Sequence, residues 1–484
     1  MKLNDILEVE ITGAAFGGKG LVRVEGLAVF VRGAVPMDRV RIQISRKKKN
    51  YAEARVIECI TPSPLRVSAP CPYSGVCGGC SWQSLDYPAQ IEYKRQHVLE
   101  SIEHIGMMQN VRVLSTIPSD PIFGYRNKVE FTCSPFRWQY PGEDRSRPLG
   151  EPAIGFHAPE VYFKVIDIDQ CLLFPDTGNR IYRDIREYIQ TSSLPVYNQR
   201  THEGFWRFIM LRHSLFSNQW MVNIITSVPN RDHVQRLADT LHLRHDRITS
   251  IVNNVTAKKA GISFGESEHL LFGEPSIQDR IDGLVFDISA NSFFQTNSRG
   301  AETLYQIVAR YAALSGIETV LDLYSGTGTI ALYLAHQAAS VVGLELVDTA
   351  IRDAVQNAAK NGITNCRFIA GDVLKTLAGV TRHDVLIIYP PRNGMHPDLL
   401  KQVMEMAPER IVYVSCNPAT LARDLLGLKT AYHVVEVQPV DMFPHTFHIE
   451  SVTLLEKRMG ADDCSRSSSS GSSSRMQNRI RYAI

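Results

Sequence analysis

The sequence has no run of eighteen or more apolar residues, so nothing in it reads as a transmembrane helix and no membrane association is expected. Its opening, MKLNDILEVE, is too acidic and too short of apolar residues for a signal peptide, and the expected location is cytoplasmic. Strong net charge is missing too, at +2 over 484 residues, and no internal repeat is evident. The even cysteine count of a disulfide framework is absent: nine cysteines in an unsecreted chain predict free thiols, a metal site or a catalytic thiolate. What is present is ordinary for a globular protein, with 44% hydrophobic and 21% charged residues, which excludes global disorder and fibrous repeats. The length excludes a single small module and predicts about two to four domains.

The near-neutral total hides basic ends. Residues 1–70 hold 12 Lys and Arg against 7 Asp and Glu, and residues 457–484 hold 6 against 2, so the remainder is acidic. Polyanion binding through the ends and simple solvated faces are both compatible with this.

Leu7, Val9 and Ile11 alternate with polar residues, as do Val40, Ile42 and Ile44, and glycines punctuate the segment. Short strands, Gly turns and a basic loop at Arg46–Lys49 predict an OB-like β-barrel over 1–62, of the kind that binds single-stranded nucleic acid or serves only as structure. Pro62, Pro64 and Pro70 mark a linker. A central α+β region is expected over 63–280, with VEFTC and QWMVNIITSV as strands. From about 300 the period changes. Leu304, Ile307, Val308 and Tyr311 form a helical stripe, and VLDL, SVVGLEL, CRFIAGD, DVLIIY and RIVYVSC are strands alternating with helices. That pattern predicts a doubly wound parallel sheet, a Rossmann-like domain over 281–457. The Ser-rich tail, 458–484, is expected to be disordered. The fold class is thus multidomain α/β.

DLYSGTGT at 322–329 follows a strand and opens a helix, so its glycines allow close backbone approach and its helix-terminal amides can meet a ligand. Glu345 ends the next strand, where a carboxylate can take ribose hydroxyls. Alone, the turn fits a dinucleotide site or no site at all. GD at 371–372 and YPPRNG at 389–394 turn the reading toward S-adenosylmethionine. Pro-Pro directly after a buried strand fixes an extended loop beside the cofactor crevice, suited to holding a planar base near a methyl donor.

VYVSCNP at 412–418 places Cys416 at the carboxyl end of the next strand, the edge where open α/β sheets bind ligands. DMFPHTFHIE at 441–450 clusters ionisable groups and ends on Glu450. A lone Cys is usually a small buried hydrophobe and a lone Glu a surface group. A thiolate and a base beside a sulfonium, however, suit methylation of a pyrimidine at carbon 5. That carbon is a poor nucleophile until a thiolate adds to carbon 6, and a base must later remove the carbon 5 proton. Cys416 is the candidate nucleophile and Glu450 the candidate base.

Cys71, Cys77 and Cys80 in CPYSGVCGGC supply three thiols within ten residues. A fourth would complete an all-thiolate shell for zinc or an iron–sulfur cluster. Cys171 is the candidate, with Cys59 and Cys133 competing.

Taken in order, the basic Gly-rich barrel, CPYSGVCGGC, GYRNK at 124–128, FFQTN at 293–297, DLYSGTGT, PPRNG, SCNP and PHTFHIE resemble the RNA uracil-5-methyltransferases. The likeness is to the 23S ribosomal RNA members with an N-terminal TRAM domain and a 4Fe-4S cluster, and it covers roughly residues 5–456. It implies a monomeric enzyme acting on RNA, with 23S rRNA the favoured substrate and tRNA an open one. It also implies that Cys71, Cys77, Cys80 and Cys171 hold the cluster, and that Gln295, Tyr324, Thr329, Glu345 and Asp372 line the S-adenosylmethionine site. Cys416 as nucleophile and Glu450 as base follow from it too, with Arg126 and Lys128 either on RNA phosphate or in a structural loop. One departure matters. Family members usually carry Asp before Pro-Pro-Arg, and this chain has Tyr389, a bulky phenol facing cofactor and base. Thr329 stands where many relatives have Asn. Two other readings compete: an RNA-binding protein whose catalysis is weakened by Tyr389, and a nicotinamide-dependent oxidoreductase built on the same glycine turn.

Overall fold

The computed structural model describes residues 1–140, 143, 150–259 and 265–458; the expected tail lies outside them from residue 459 onward. Alternation builds the first unit. In Arg39–Lys47, Val40, Ile42 and Ile44 are fully buried while Arg39 and Arg41 face solvent. These residues join Val22, Val29, Val31, Ala52 and Ala54 in one small core. Its six strands form a sheet running from Ile6–Glu10 at one edge to Gly13–Ala14 at the other.

A second sheet of seven strands is centred on Trp206–His213, flanked by Trp220–Thr226 and Lys128–Ser134. The two segments read from the sequence as strands, VEFTC and QWMVNIITSV, lie in it. The helices Asp176–Gln190 and Arg231–Arg244 cover it through Ile181, Ile185, Ile189, Val234, Leu237 and Leu241.

The third sheet carries the site. Its order is Cys366–Ala370, Ser340–Glu345, Thr319–Leu323, Val385–Ile388, Arg410–Ser415, Glu450–Lys457 and Tyr432–Val440. The first five are parallel, as the helix alternation predicts. Glu450–Lys457 runs antiparallel to both of its neighbours, which corrects the expectation of a wholly parallel sheet. The physical reason is the connection. No crossover helix separates Tyr432–Val440 from Glu450–Lys457, only the loop 441–449, and strands joined by a short loop must reverse direction.

Sequence boundaries and spatial units also differ. The helix Tyr87–His104 buries Val98 and Ile102 against Leu321, Ile411, Leu421 and Leu425 of the third sheet and its helices. Val113 and Ile117 then bridge to Val437 and Val440. The stretch after the Pro-rich linker therefore packs on the distant C-terminal sheet. The expected boundary at 280/281 falls inside the hairpin Ser276–Ile281/Leu284–Ser289, whose Ile277, Ile281 and Phe286 share the core of Leu304 and Val308. Among the described residues no helix is long and apolar enough to cross a membrane.

Candidate active site

The carboxyl edge of the parallel strands opens into a cavity of about 1580 Å³. Tyr324, Gly326 and Gly328 all take left-handed backbone in the turn after Thr319–Leu323. A Cβ at Gly328 would sit 2.7 Å from the Phe368 ring, so the tight approach there requires glycine. Glu345 braces the turn, accepting from the Gly326 amide at 3.0 Å and the Val347 amide at 2.9 Å. Asp372 accepts from the Leu374 amide at 2.9 Å, and the Thr329 and Tyr305 hydroxyls are 2.9 Å apart. Gln295 is delivered from elsewhere. Asn127 of GYRNK donates to its carbonyl at 2.7 Å and to Ser298 Oγ at 2.8 Å, so two motifs far apart in sequence are tied together.

Gln295, Tyr324, Thr329, Glu345, Asp372 and Tyr389 all line this one cavity, together with Cys416 and Glu450. The Asp322 carboxyl and the Ser325 hydroxyl also line it, buried and without a protein hydrogen-bond partner. Buried polar atoms left open on a cavity wall fit a polar ligand that would satisfy them. Burial pushes the Asp322 carboxyl up to about 8.

Cys416 follows the strand Arg410–Ser415, where Asn417 caps the next helix by accepting from the Ala419 amide at 3.1 Å and Pro418 occupies its first turn. The SCNP motif is thus a strand-to-helix corner that leaves the thiol half-buried at the sheet edge. Burial, then the nearby Glu450, pushes this thiol up to about 11, while Arg392 pulls it down. Glu450 is only 3% exposed, and its Oε2 has no partner. Burial raises its carboxyl to about 8; the Tyr389 hydroxyl and Arg392 act in the opposite direction.

The loop that carries Glu450 is clamped from beneath. Lys94, fully buried, donates to Asp441 Oδ1 at 2.5 Å and to the Phe443 carbonyl at 3.1 Å. Tyr87 donates to Asp441 Oδ2 at 2.9 Å. The Ser81 and Trp82 amides, immediately after Cys80, both donate to the His445 carbonyl at 3.0 Å.

A second cavity, about 350 Å³, is lined by Cys71, Cys77, Cys80 and Cys171. Tyr73 staples the cysteine loop to the Cys171 turn, donating to Asp169 at 3.0 Å and accepting from the Asp169 amide at 2.9 Å. A Cβ at Gly78 would meet the His157 carbonyl at 2.8 Å. Of the three candidates for a fourth thiol, Cys171 alone faces this space; Cys59 is exposed on the first sheet and Cys133 is buried in the second. Among the described residues, no three His, Cys, Asp or Glu side chains converge on a single metal ion.

Residues 217–458 match the tRNA (uracil-5-)-methyltransferase family and residues 2–57 match the TRAM domain. An uncharacterized RNA methyltransferase of Chlorobaculum tepidum is 41% identical over 468 residues, covering 94% of this chain and 96% of that one. The chain belongs to the tRNA (uracil-5-)-methyltransferase family. It is an S-adenosylmethionine-dependent RNA methyltransferase. A similar protein from Halalkalibacterium halodurans is 39% identical over 461 residues, covering 94% of this chain and 97% of that one. Among solved structures, the Pyrococcus abyssi tRNA (uracil-54, C5)-methyltransferase in complex with S-adenosyl-L-homocysteine is similar. Its TM-score is 0.73, with 31% identity over 93% of this chain and 100% of that one.

Two residues of this methyltransferase, Arg392 and Tyr305, had no role assigned from sequence. Arg392 lies beside both Cys416 and Glu450 and favours the ionised form of each. Its place in PPRNG, three residues after the strand-end Tyr389, was the available signal. Tyr305, next to Leu304 of the helical stripe but outside it, reaches the cavity from Ser298–Ala312. Arg126 turns inward, lining both cavities with its Nε unpartnered and its guanidinium 5.9 Å from the Phe443 ring centre. Lys128 pairs with Glu130 at 3.5 Å.

Proposed function

We propose that this enzyme methylates carbon 5 of a uridine in RNA through a covalent bond between Cys416 and carbon 6 of the base, with 23S rRNA as substrate. One observation carries the reading: a half-buried thiol and a buried carboxyl, from adjacent strands, share a cavity with the five residues expected to line the methyl-donor site and with Tyr389, expected to face it. S-adenosylmethionine, when bound, supplies an electrophilic methyl group. Gln295, Tyr324, Thr329, Glu345 and Asp372 would hold it, with the Glu345 carboxylate available to ribose hydroxyls. Cys416 adds to carbon 6, making carbon 5 nucleophilic. Arg392 offsets the cost of forming the thiolate in a buried setting. Glu450 takes the carbon 5 proton, and loss of the Cys416 bond restores the ring.

For the second cavity the proposal is a structural 4Fe-4S cluster on Cys71, Cys77, Cys80 and Cys171. What supports this is that all four thiols line one cavity, enough for an all-thiolate shell. Anaerobically prepared protein is expected to be brown, and Cys171→Ser to lose iron and colour. Colourless protein with stoichiometric zinc overturns this assignment. The first-sheet TRAM domain contacts RNA, and the protein acts as a monomer.

The deciding experiment uses RNA containing 5-fluorouridine, whose adduct cannot shed its fluorine. With methyl donor present, a denaturant-resistant protein–RNA species is expected from the native enzyme and none from Cys416→Ala. Unmodified 23S rRNA and tRNA transcripts, assayed side by side for 5-methyluridine, decide the substrate. The competing reading, an RNA-binding protein silenced by Tyr389, predicts RNA affinity without turnover and restored turnover in Tyr389→Asp.

A further inference from the structure

Tyr389 follows directly on the strand Val385–Ile388 and precedes the stiff Pro390–Pro391 step, so the backbone gives it little room to move. Its ring packs on the core of the third sheet, and its hydroxyl reaches the cavity that holds Cys416 and Glu450. Gln295 Nε2 donates to that hydroxyl oxygen at 3.3 Å. A phenol has one hydrogen to give. With Gln295 donating to the oxygen, the hydrogen is free for an acceptor, and the buried Glu450 carboxyl on the wall of the same cavity has one oxygen, Oε2, without a partner.

We infer that Tyr389 is a positioning residue for the proton-abstraction step: anchored by Gln295, its hydroxyl orients the Glu450 carboxylate toward carbon 5 of the bound base. This rests on the function proposed above and assigns the phenol a role within it. The titratable and charged groups facing Glu450 are Tyr389, Arg392, Cys416 and Tyr305. Tyr305 shares its hydroxyl with Thr329, so it is committed elsewhere. Arg392 favours both anions at once and cannot aim one of them. Tyr389 acts differently. Burial, with Glu450 close by, holds its phenol well above the ordinary value, so it stays neutral while donating. A carboxylate at this position would add a third acidic group beside a thiol and a carboxyl that already disfavour each other's ionisation.

The step served is elimination. The Glu450 carboxylate takes the carbon 5 proton, and the C–H electron pair becomes the carbon 5–carbon 6 double bond. The bond from carbon 6 to sulfur breaks, and Cys416 departs as thiolate. A misaimed carboxylate leaves addition and methyl transfer possible but slows this exit.

The test is Tyr389→Phe, which removes only the hydroxyl, on ordinary uridine RNA. Three results are expected together. A methylated, denaturant-resistant adduct accumulates where the native enzyme shows little. Turnover falls about tenfold, less than the roughly 10²–10⁴-fold of general-base assistance as a whole, because the carboxylate itself remains. The midpoint of the rising pH–kcat curve moves upward, because the carboxylate has lost a donor that favours its ionised form. Adduct formation on 5-fluorouridine RNA stays at the native level, which shows the fold and the nucleophile intact. Tyr389→Asp is expected to move the midpoint upward as well, through like charge. Native pH dependence without adduct accumulation in Tyr389→Phe overturns the inference, as does faster turnover in Tyr389→Asp. If the native enzyme itself forms no adduct with 5-fluorouridine RNA, the proposed function fails first, so the two failures are distinct.

Discussion

The two cavities are built from different parts of the chain. The larger one lies where strands end: Asp322, Glu345, Tyr389 and Cys416 each sit at or just beyond the carboxyl terminus of a parallel strand, and Glu450 begins the antiparallel strand beside them. The smaller one lies among loops, with Cys71, Cys77 and Cys80 before the first helix and Cys171 between the strand Val161–Asp167 and the helix Asp176–Gln190. Sheet edges place side chains through a hydrogen-bonded ladder, so a reacting thiol and a base can be held with little reorganisation. Loops hold four thiols only where staples such as Tyr73–Asp169 and a close glycine contact fix them. That contrast supports the proposal of chemistry in the first cavity and a structural group in the second.

The sharpest way to break this division is Cys416→Ala. Turnover should fall by roughly 10⁴-fold or more, as for a covalent nucleophile, while iron content and colour stay native. A loss confined to the second cavity's spectrum would reverse the assignment. Glu450→Gln comes next. It should lower kcat by about 10²–10⁴-fold and leave RNA affinity nearly unchanged, since the base acts after binding. In the native enzyme the same carboxyl, raised to about 8, must lose its proton to work, so kcat should rise with pH toward that value. A pH-independent rate between 6 and 9, measured as release of methylated RNA from the covalent adduct, would remove Glu450 from the step.

How much of this division the sequence carries differs between the cavities. The five parallel strands were legible because each is a short apolar run followed by turn chemistry, and the site residues follow those runs directly. Cys171 was not separable from Cys59 and Cys133 by spacing, because the contact that brings it to the other three thiols is tertiary. The antiparallel edge was hidden for a related reason: strand periodicity does not report direction, and only the missing crossover helix between Val440 and Glu450 hints at it. Least visible was the helix Tyr87–His104. A Pro-rich linker upstream made it look central, yet Val98 and Ile102 face a sheet more than two hundred residues later. Lys94 on that helix reads as a surface residue in sequence and is fully buried in fact.

Lys94 therefore tests whether the two cavities are joined. Its ion pair with Asp441 holds the loop leading to Glu450, on a helix that begins shortly after Cys80. Removing one partner of a buried pair leaves an uncompensated charge, so Lys94→Met should cost about 3–5 kcal/mol by denaturant unfolding. The double variant Lys94→Met/Asp441→Leu should recover part of that stability, because no buried charge remains. If the single variant costs nothing, the clamp is not what fixes the loop.

The smallest expected effect lies outside both cavities, on the TRAM sheet. Arg39 and Arg41 there are engaged by Glu8 and Glu58, whereas Lys48 and Lys49 stand exposed in the turn before Tyr51–Thr61. A paired arginine brings little new counterion release to RNA, because its charge is already partly neutralised. Two free lysines bring more. Replacing both Lys48 and Lys49 with Gln should reduce the slope of log affinity against log salt by about 1.4 for single-stranded RNA, near 0.7 per contact. Replacing Arg39 and Arg41 should change it less. Because this term is electrostatic and remote from the reacting atoms, kcat at saturating RNA should stay at the native value in both variants. A fall in kcat would mean that the TRAM sheet helps to place the target base as well as to hold the strand.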